Sequence, residues 1–367
     1  MQLNKISVYF KKFDWLTLIT ICLLIILGIV LLYSVALGSQ NEQNILNLKK
    51  QIVFFILGLI VIVCLALFFD YRSLLKYNTL LYVLGLLLLV AVLFLGKTIR
   101  GTTGWFDLGF FSFQPVELIK IFLIIFLSKF FSDKARYIGQ LKYIILSSLG
   151  VVLLMSLIVL QPDFGSALIL FALWFILILL TGLKKNYLIY IIVIILISSL
   201  VLWFFVFQDY QKQRIQVFLN PSLDPLGSGY NITQAIIAIG SGQVFGKGLA
   251  FGSQSQLKFL PESQTDFIFA VLAEELGLAG IALLLILFSF LFYRLLKIAK
   301  RLRDNFAVYF VLSVCILFFI QLVINIGGNL GLMPITGITL PFISYGGSSL
   351  IANMIMIGIV ESIIIRS

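Results

Sequence analysis

The sequence predicts an all-α, polytopic integral membrane protein with about ten transmembrane helices, read as a single domain over residues 1–367. Two observations predict this. Of 367 residues, 61% are hydrophobic and only 11% are charged, whereas soluble chains are roughly half apolar and about a quarter charged. The apolar residues also fall in repeated runs of ~20, the length that crosses a hydrocarbon core at ~1.5 Å per residue. No water is available there to satisfy the backbone, so each run must form a helix.

In chain order the expected spans are 14–36, 50–69, 77–96, 114–131, 142–161, 164–183, 187–207, 266–293, 306–328 and 346–365. The first is too long, and lacks the small-residue site, to be a cleavable signal. An even count puts both ends on one side, and Lys and Arg choose the side. With the termini and even-numbered loops inside, those segments hold 17 of the 26 Lys and Arg and the opposite loops hold 8. The expected topology is therefore N-in, C-in. This asymmetry accounts for most of the +11 net charge, and nothing points to nucleic acid. Cys22, Cys64 and Cys315 all lie in spans and read as packing residues.

Most connections are short. The exception is a long extracytoplasmic loop, 208–265, between spans seven and eight, and loops of that length are usually functional or disordered. This one carries structure. GYNITQAIIAIGSG (Gly229–Gly242) places Ile232, Ala235, Ile236 and Ile239 at helical spacing, and reads as an amphipathic helix on the outer interface. Glycine-rich GKGLAFGSQSQLKFLPESQTDF (Gly246–Phe267) follows. The last outer segment, Asn325–Ser349, is uncharged and dense in Pro and Gly. It predicts non-helical backbone against a cavity, because such backbone at membrane depth needs protein or water around it.

The chemistry is bounded by what is missing. With no histidine, His-based acid–base catalysis, Ser-His triads and His-ligated metals are excluded. Carboxylates remain as catalysts, with Lys and Arg as anion binders. Glu262 and Asp266 stand four apart where the long loop enters span eight and would share a face if helical. Helix capping by Thr265 or Asp266 is the bland alternative. Glu117 and Lys120 in QPVELIK are spaced to pair, and charges at membrane depth are functional candidates by default. Asp163 sits in the QPDFGSA hairpin. Glu274 and Glu275 lie deeper in span eight, and Glu361 near the cytoplasmic end of the last span suits a solvated or capping role. Arg100, Arg214, Lys247 and Lys258 belong to outer loops. Each reads as surface charge or as part of a cationic site for phosphate.

Three segments together resemble the SEDS family (shape, elongation, division and sporulation), which includes RodA, FtsW and SpoVE. They are GLMPITGITLPFISYGGSS (Gly331–Ser349), FLPESQTDFIFAVLAEELG (Phe259–Gly277) and AIGSGQVFGKGL (Ala238–Leu249) with NITQA upstream. QPVELIK and QPDFGSAL match more weakly, and the PITGI wording is most similar to RodA. The resemblance implies a ten-span enzyme that polymerises lipid II into glycan strands at the outer face of the bacterial cytoplasmic membrane, for elongation and shape, working with a class B penicillin-binding protein. It implies that Asp266, in TDFIFA, is the catalytic aspartate. The family pattern has His where this chain has Gln264, and Arg where Gly104 precedes Trp105, with Arg100 as a nearby substitute.

The expected mechanism needs one base plus cations, because pyrophosphate is already a good leaving group (compare the inverting logic of glycosidases). Asp266 is the expected base. Arg100, Arg214, Lys247, Glu262, Gln234, Ser344 and Ser348 are the expected substrate-binding set, and Glu117, Lys120 and Asp163 shape the cavity. Mg²⁺ or another divalent cation suits the pyrophosphate, and no organic cofactor is called for. The rivals are a lipid II flippase, since broken helices and midplane polar groups are also transporter features, and a non-catalytic scaffold for the transpeptidase.

Overall fold

The computed structural model describes residues 9, 11–39, 42–99, 101–107, 109, 112–135, 137, 140–182, 185–206, 209–225 and 227–367. Ten helices coincide with the ten expected spans. They are α1 (Trp15–Ser39), α2 (Glu42–Phe68), α3 (Arg72–Leu95), α4 (Pro115–Asp133), α5 (Leu141–Val159), α6 (Phe164–Leu180), α7 (Lys185–Val201), α11 (Ile268–Arg301), α12 (Asn305–Asn329) and α13 (Gly347–Arg366). Eight are long and apolar enough to cross a membrane. The other two are α6, with 17 residues, and α4, which carries Glu117, Lys120, Lys129 and Asp133.

The helices divide into a centre and a rim. About 67% of the apolar window of α12 and 78% of that of α13 is buried in protein, against 6% for α7. The central pair therefore packs on protein, and α7 presents Ile194, Leu196 and Leu200 outward, where lipid tails are as good a partner as protein. α13 packs on α2, α12 on α4 and α11, and α11 on α1.

Where the boundaries differ from expectation, the cause is polar helix beyond the apolar run. Span two was expected to begin at 50, but α2 begins at Glu42, so Gln43, Asn44 and Asn47 lie on helix rather than in a loop. At the far end α11 continues to Arg301, with Lys300 and Arg301 in its last turn, where cations suit the helix dipole. The third loop holds a small antiparallel sheet unseen in the sequence: β1 (Lys97–Ile99), β2 (Thr102–Asp107) and β3 (Ser112–Phe113), with Lys97 opposite Trp105 and Phe106 opposite Phe113. The Lys97 ammonium, 2.9 Å from Asp107 Oδ2, and the Gly109 N–H hold the Asp107 carboxyl below the usual carboxylate range.

The long loop contains α8 (Asp209–Leu219), α9 (Ser228–Ser241) and the single turn α10 (Ser253–Gln256). The expected amphipathic helix exists as α9, but it packs on α11. Its buried face is Ile232, Ala235 and Ala238, while Ile236 is 47% exposed. Small residues there let the two backbones approach.

Glu361 is not solvated. It is fully buried, and its Oε2 accepts the Asp14 backbone N–H at 3.0 Å. Arg294 bonds to the Asp14 carboxylate, and Thr17 donates to the same group at 2.5 Å. This end of the bundle is thus tied shut by a charged cluster joining α1, α11 and α13.

Candidate functional site

The site is assembled by two segments that are not helical. Residues 261–267 form turns before α11 rather than a helix. Glu262 has φ +52°, and the Phe267 N–H reaches back to the Glu262 carbonyl at 3.3 Å. Glu262 and Asp266 are therefore not i, i+4 neighbours on a helix. Nor does Thr265 or Asp266 occupy the cap position, which falls on Phe267. A neighbouring helix does the capping: Asn329 Oδ1 on α12 accepts the Ala270 N–H at 3.3 Å. Asn325 and Asn329 each donate to the Asp266 backbone carbonyl, at 3.0 and 2.9 Å, so the backbone of the aspartate is fixed by side chains of α12.

The second segment runs from 330 to 346 between α12 and α13 and lacks regular structure, as its Pro and Gly content predicts, whereas the ends of the expected stretch, Asn325–Asn329 and Gly347–Ser349, belong to α12 and α13. Leu340, Phe342 and Ile343 are buried. Its backbone polar groups are met by side chains, which is what makes irregular backbone tolerable inside a membrane bundle. Gln51 spans it with two bonds, donating to Ser344 O at 3.2 Å and accepting from Gly346 N at 3.4 Å. Ser344 Oγ donates to Thr265 O at 2.6 Å, accepts from Leu340 N, and Tyr345 N donates to Gln264 O at 2.8 Å. The SYGGSS and SQTDF segments are thereby buckled together.

Between them lies a cavity of about 700 Å³. Its walls carry Asp266, Glu262, Arg214, Glu117, Lys120, Asp163 and Ser348 from the expected set. Lys120 Nζ is 2.8 Å from Glu117 Oε1, both nearly buried. Asp163 caps α6, accepting from Ser166 N at 3.0 Å and Ser166 Oγ at 2.7 Å. Ser348 Oγ bridges Ser112 O and Gln114 N, joining α13 to the β3–α4 connection. Gly337, with φ +72°, lies against the aspartate; a Cβ there would sit 3.9 Å from Asp266 Oδ2.

Three expected members stand elsewhere. Lys247 is held by Glu274 at 2.9 Å and by Ser253 Oγ at 2.8 Å, and does not line the cavity. Ser344 is a structural buckle, and Gln234 lies on α9 away from the lining. Arg100 lies outside the described residues. The cavity also includes groups that sequence reasoning missed: Gln43, Asn44, Asn47 and Lys50 of α2, with Thr102 and Trp105 of β2. The polar spacing 43, 47, 51 running into an apolar helix was the available signal. Among the described residues no group of three or more His, Cys, Asp or Glu could form a metal cage. Glu262 and Asp266 suit the other mode, in which one or two carboxylates share a divalent cation with substrate phosphates.

A second set of carboxylates is closed off. α11 is broken at Gly277, where φ +62°, ψ −157° is reachable by glycine. The carbonyls freed there do not go unpaired. Glu274 O and Glu275 O accept from Lys247 N and Gly248 N, both at 3.0 Å, while Leu278 N and Ala279 N donate to Gln243 O and Val244 O. The side chains add to this clasp. Glu274 takes the Gln254 and Ser255 N–H groups at 2.8 and 3.0 Å, and Glu275 takes Ser34 Oγ at 2.6 Å and Gln256 Nε2 at 3.0 Å.

Comparison with known proteins places this arrangement. The family profile described as "Cell cycle protein", covering FtsW, RodA and SpoVE, matches residues 14–367. The chain is 38% identical over 341 residues to the peptidoglycan glycosyltransferase MrdB of Escherichia coli K12, covering 93% of this chain and 92% of that protein. It superposes with a TM-score of 0.81 and 32% identity on a solved structure described as "Structural coordination of polymerization and crosslinking by a peptidoglycan synthase complex", covering 96% of this chain and 97% of that one. Against the crystal structure of the Rod shape determining protein RodA of Thermus thermophilus the TM-score is 0.71 at 31% identity, with 96% of each chain covered. With its two irregular segments joined around a polar cavity in a multi-pass membrane bundle, the chain belongs to the FtsW/RodA/SpoVE family.

Proposed function

We propose that the chain is a peptidoglycan glycosyltransferase that polymerises lipid II into glycan strands for cell elongation and shape. One observation carries the reading. A single cavity in a membrane-spanning bundle gathers the carboxylates Asp266 and Glu262, the guanidinium of Arg214 and the Glu117–Lys120 pair. That set matches what transfer from a lipid pyrophosphate demands. A base must take the acceptor hydroxyl's proton, and cations must hold the leaving pyrophosphate.

Asp266 is the base in this reading. Its backbone is pinned by Asn325 and Asn329, which orients the carboxylate in advance of substrate. Arg214, Lys50 and Lys120 form the cationic part of the wall. Lys247, tied to Glu274, instead holds the loop. Glu262 or Asp266 would hold a divalent cation, whose charge would offset that of the phosphates. The Lys and Arg asymmetry supports a cavity that opens on the extracytoplasmic side of the cytoplasmic membrane. The partner is a class B penicillin-binding protein, in keeping with the synthase complex to which the chain is similar.

The test is polymer formation by the purified chain from labelled lipid II, with and without the partner. Wild type yields glycan. Asp266→Asn, with unchanged thermal stability, yields none. Translocation without product would instead identify a flippase, and neither activity a scaffold. An active Asp266→Asn protein would remove Asp266 from its role.

A further inference from the structure

Gln264 is two residues before Asp266 on the same turn. Only 6% of it is exposed, and it lines the cavity. Its backbone is fixed, because the carbonyl accepts from Tyr345 N. Its side chain is half satisfied. Oε1 accepts from Asn47 Nδ2 at 2.8 Å, but Nε2 is buried with no hydrogen-bond partner. Leaving an amide donor unpaired away from water is unfavourable, and in native structures such a group calls for a reason. Asn47 is half-buried on the polar first turns of α2, among the cavity-lining Gln43, Asn44 and Lys50. It takes the carbonyl end of the Gln264 amide, so the end left over is a donor. A small rotation of the terminal amide that keeps the Asn47 bond would turn that donor toward the cavity and relieve the unpaired group.

We propose that Gln264 is a substrate-binding residue: its amide N–H, aimed by Asn47, donates to an oxygen of the sugar–pyrophosphate head and positions it beside Asp266. The inference rests on the glycosyltransferase reading above. An uncharged donor suits either a sugar oxygen or a phosphate oxygen, and it takes no part in proton transfer. Binding of the head group replaces the missing hydrogen bond, so the unpaired donor favours the occupied cavity over the empty one.

The experiment uses the purified full-length chain with lipid II, reading kcat, KM and melting temperature. Gln264→Met keeps length and loses the donor. It is expected to lower kcat/KM ~10-fold, the scale of one neutral hydrogen bond to substrate, with its melting temperature at or above that of wild type. Gln264→His restores an N–H donor and is expected within ~3-fold of wild type. Gln264→Glu, an acceptor in place of the donor, is expected below Gln264→Met. Asn47→Ala lowers kcat/KM ~3-fold in wild type and has no further effect on Gln264→Met, as coupled residues should. Should Gln264→Met fail to fold, the His and Glu variants and Asn47→Ala carry the test. Undecaprenyl pyrophosphate as inhibitor separates the two oxygens. Inhibition weakened by Gln264→Met means a phosphate oxygen, and inhibition unchanged means a sugar oxygen. Equal activity of Gln264→Met and wild type, or equal impairment of the Met and His variants, overturns the proposal while leaving the glycosyltransferase reading intact. A wild-type chain that makes no polymer overturns both.

Discussion

Two pairs of carboxylates flank the start of α11 and live in different surroundings. Glu262 and Asp266 precede it on an irregular turn and line a cavity of about 700 Å³. Glu274 and Glu275 follow within it, both fully buried. Their oxygens accept from Lys247, Ser253, Gln254 and Ser255 on one side and from Ser34, Ser255 and Gln256 on the other. The second pair is saturated by protein and can only hold parts together. The first stands where a ligand can reach it. The lesson is that a carboxylate in a membrane span is informative through what surrounds it, since burial of a charge requires partners whether or not it has a function.

Substitutions that break this contrast are expected to act on stability on one side and on activity on the other. The largest stability effect belongs to Lys247→Met. Glu274 is fully buried while Lys247 is 29% exposed, so the variant strands the buried partner. About 3 kcal/mol should be lost, the lower range for breaking a buried pair, read as a drop in melting temperature in detergent and as protease sensitivity of the long loop. Gly337→Ala is milder and crosses between the two classes. Its φ of +72° is strained for alanine, at about 1–2 kcal/mol. The added methyl also touches the Asp266 carboxylate, so specific activity should fall several-fold more than stability explains. The smallest effect is Lys97→Ala. Asp107 is exposed, and its lowered pKa comes from the Lys97 hydrogen bond first. A depressed carboxyl pKa stabilises above the unfolded value and is lost as pH falls through the folded one. Wild type and variant should therefore differ slightly at neutral pH and converge below about pH 4. NMR titration of Asp107 should show its pKa returning to the ordinary carboxylate range in the variant.

The spans were legible because apolar runs of fixed length leave the chain one solution. So was the irregular 330–346 segment, from Pro and Gly alone, and so was the Glu117–Lys120 pair, from its spacing. Other features depend on tertiary choice. Lys247 and Arg214 are both loop cations by sequence, and nothing local says that one is taken by Glu274 and the other faces the cavity. Ser344 and Ser348 share one motif, yet one buckles two segments and the other lines the site. The polar start of α2 was hidden because a hydropathy boundary marks where apolar residues begin, not where the helix does. The β1–β3 sheet is too short to show an alternating pattern. Family resemblance pointed to Asp266, but Asn325 and Asn329, which clamp its carbonyl, and Gln51, which holds the facing 344–346 backbone, sit in other helices and leave no trace near it in sequence.

The most direct test of the contrast measures Asp266→Asn and Glu274→Gln side by side, scoring polymer formed from lipid II per folded molecule and melting temperature in the same preparation. The two variants are expected to behave oppositely. Asp266→Asn melts like wild type and makes no polymer, while Glu274→Gln melts lower and polymerises normally at temperatures where it stays folded. An Asp266→Asn protein that polymerises, or a stable Glu274→Gln protein that does not, would contradict that expectation.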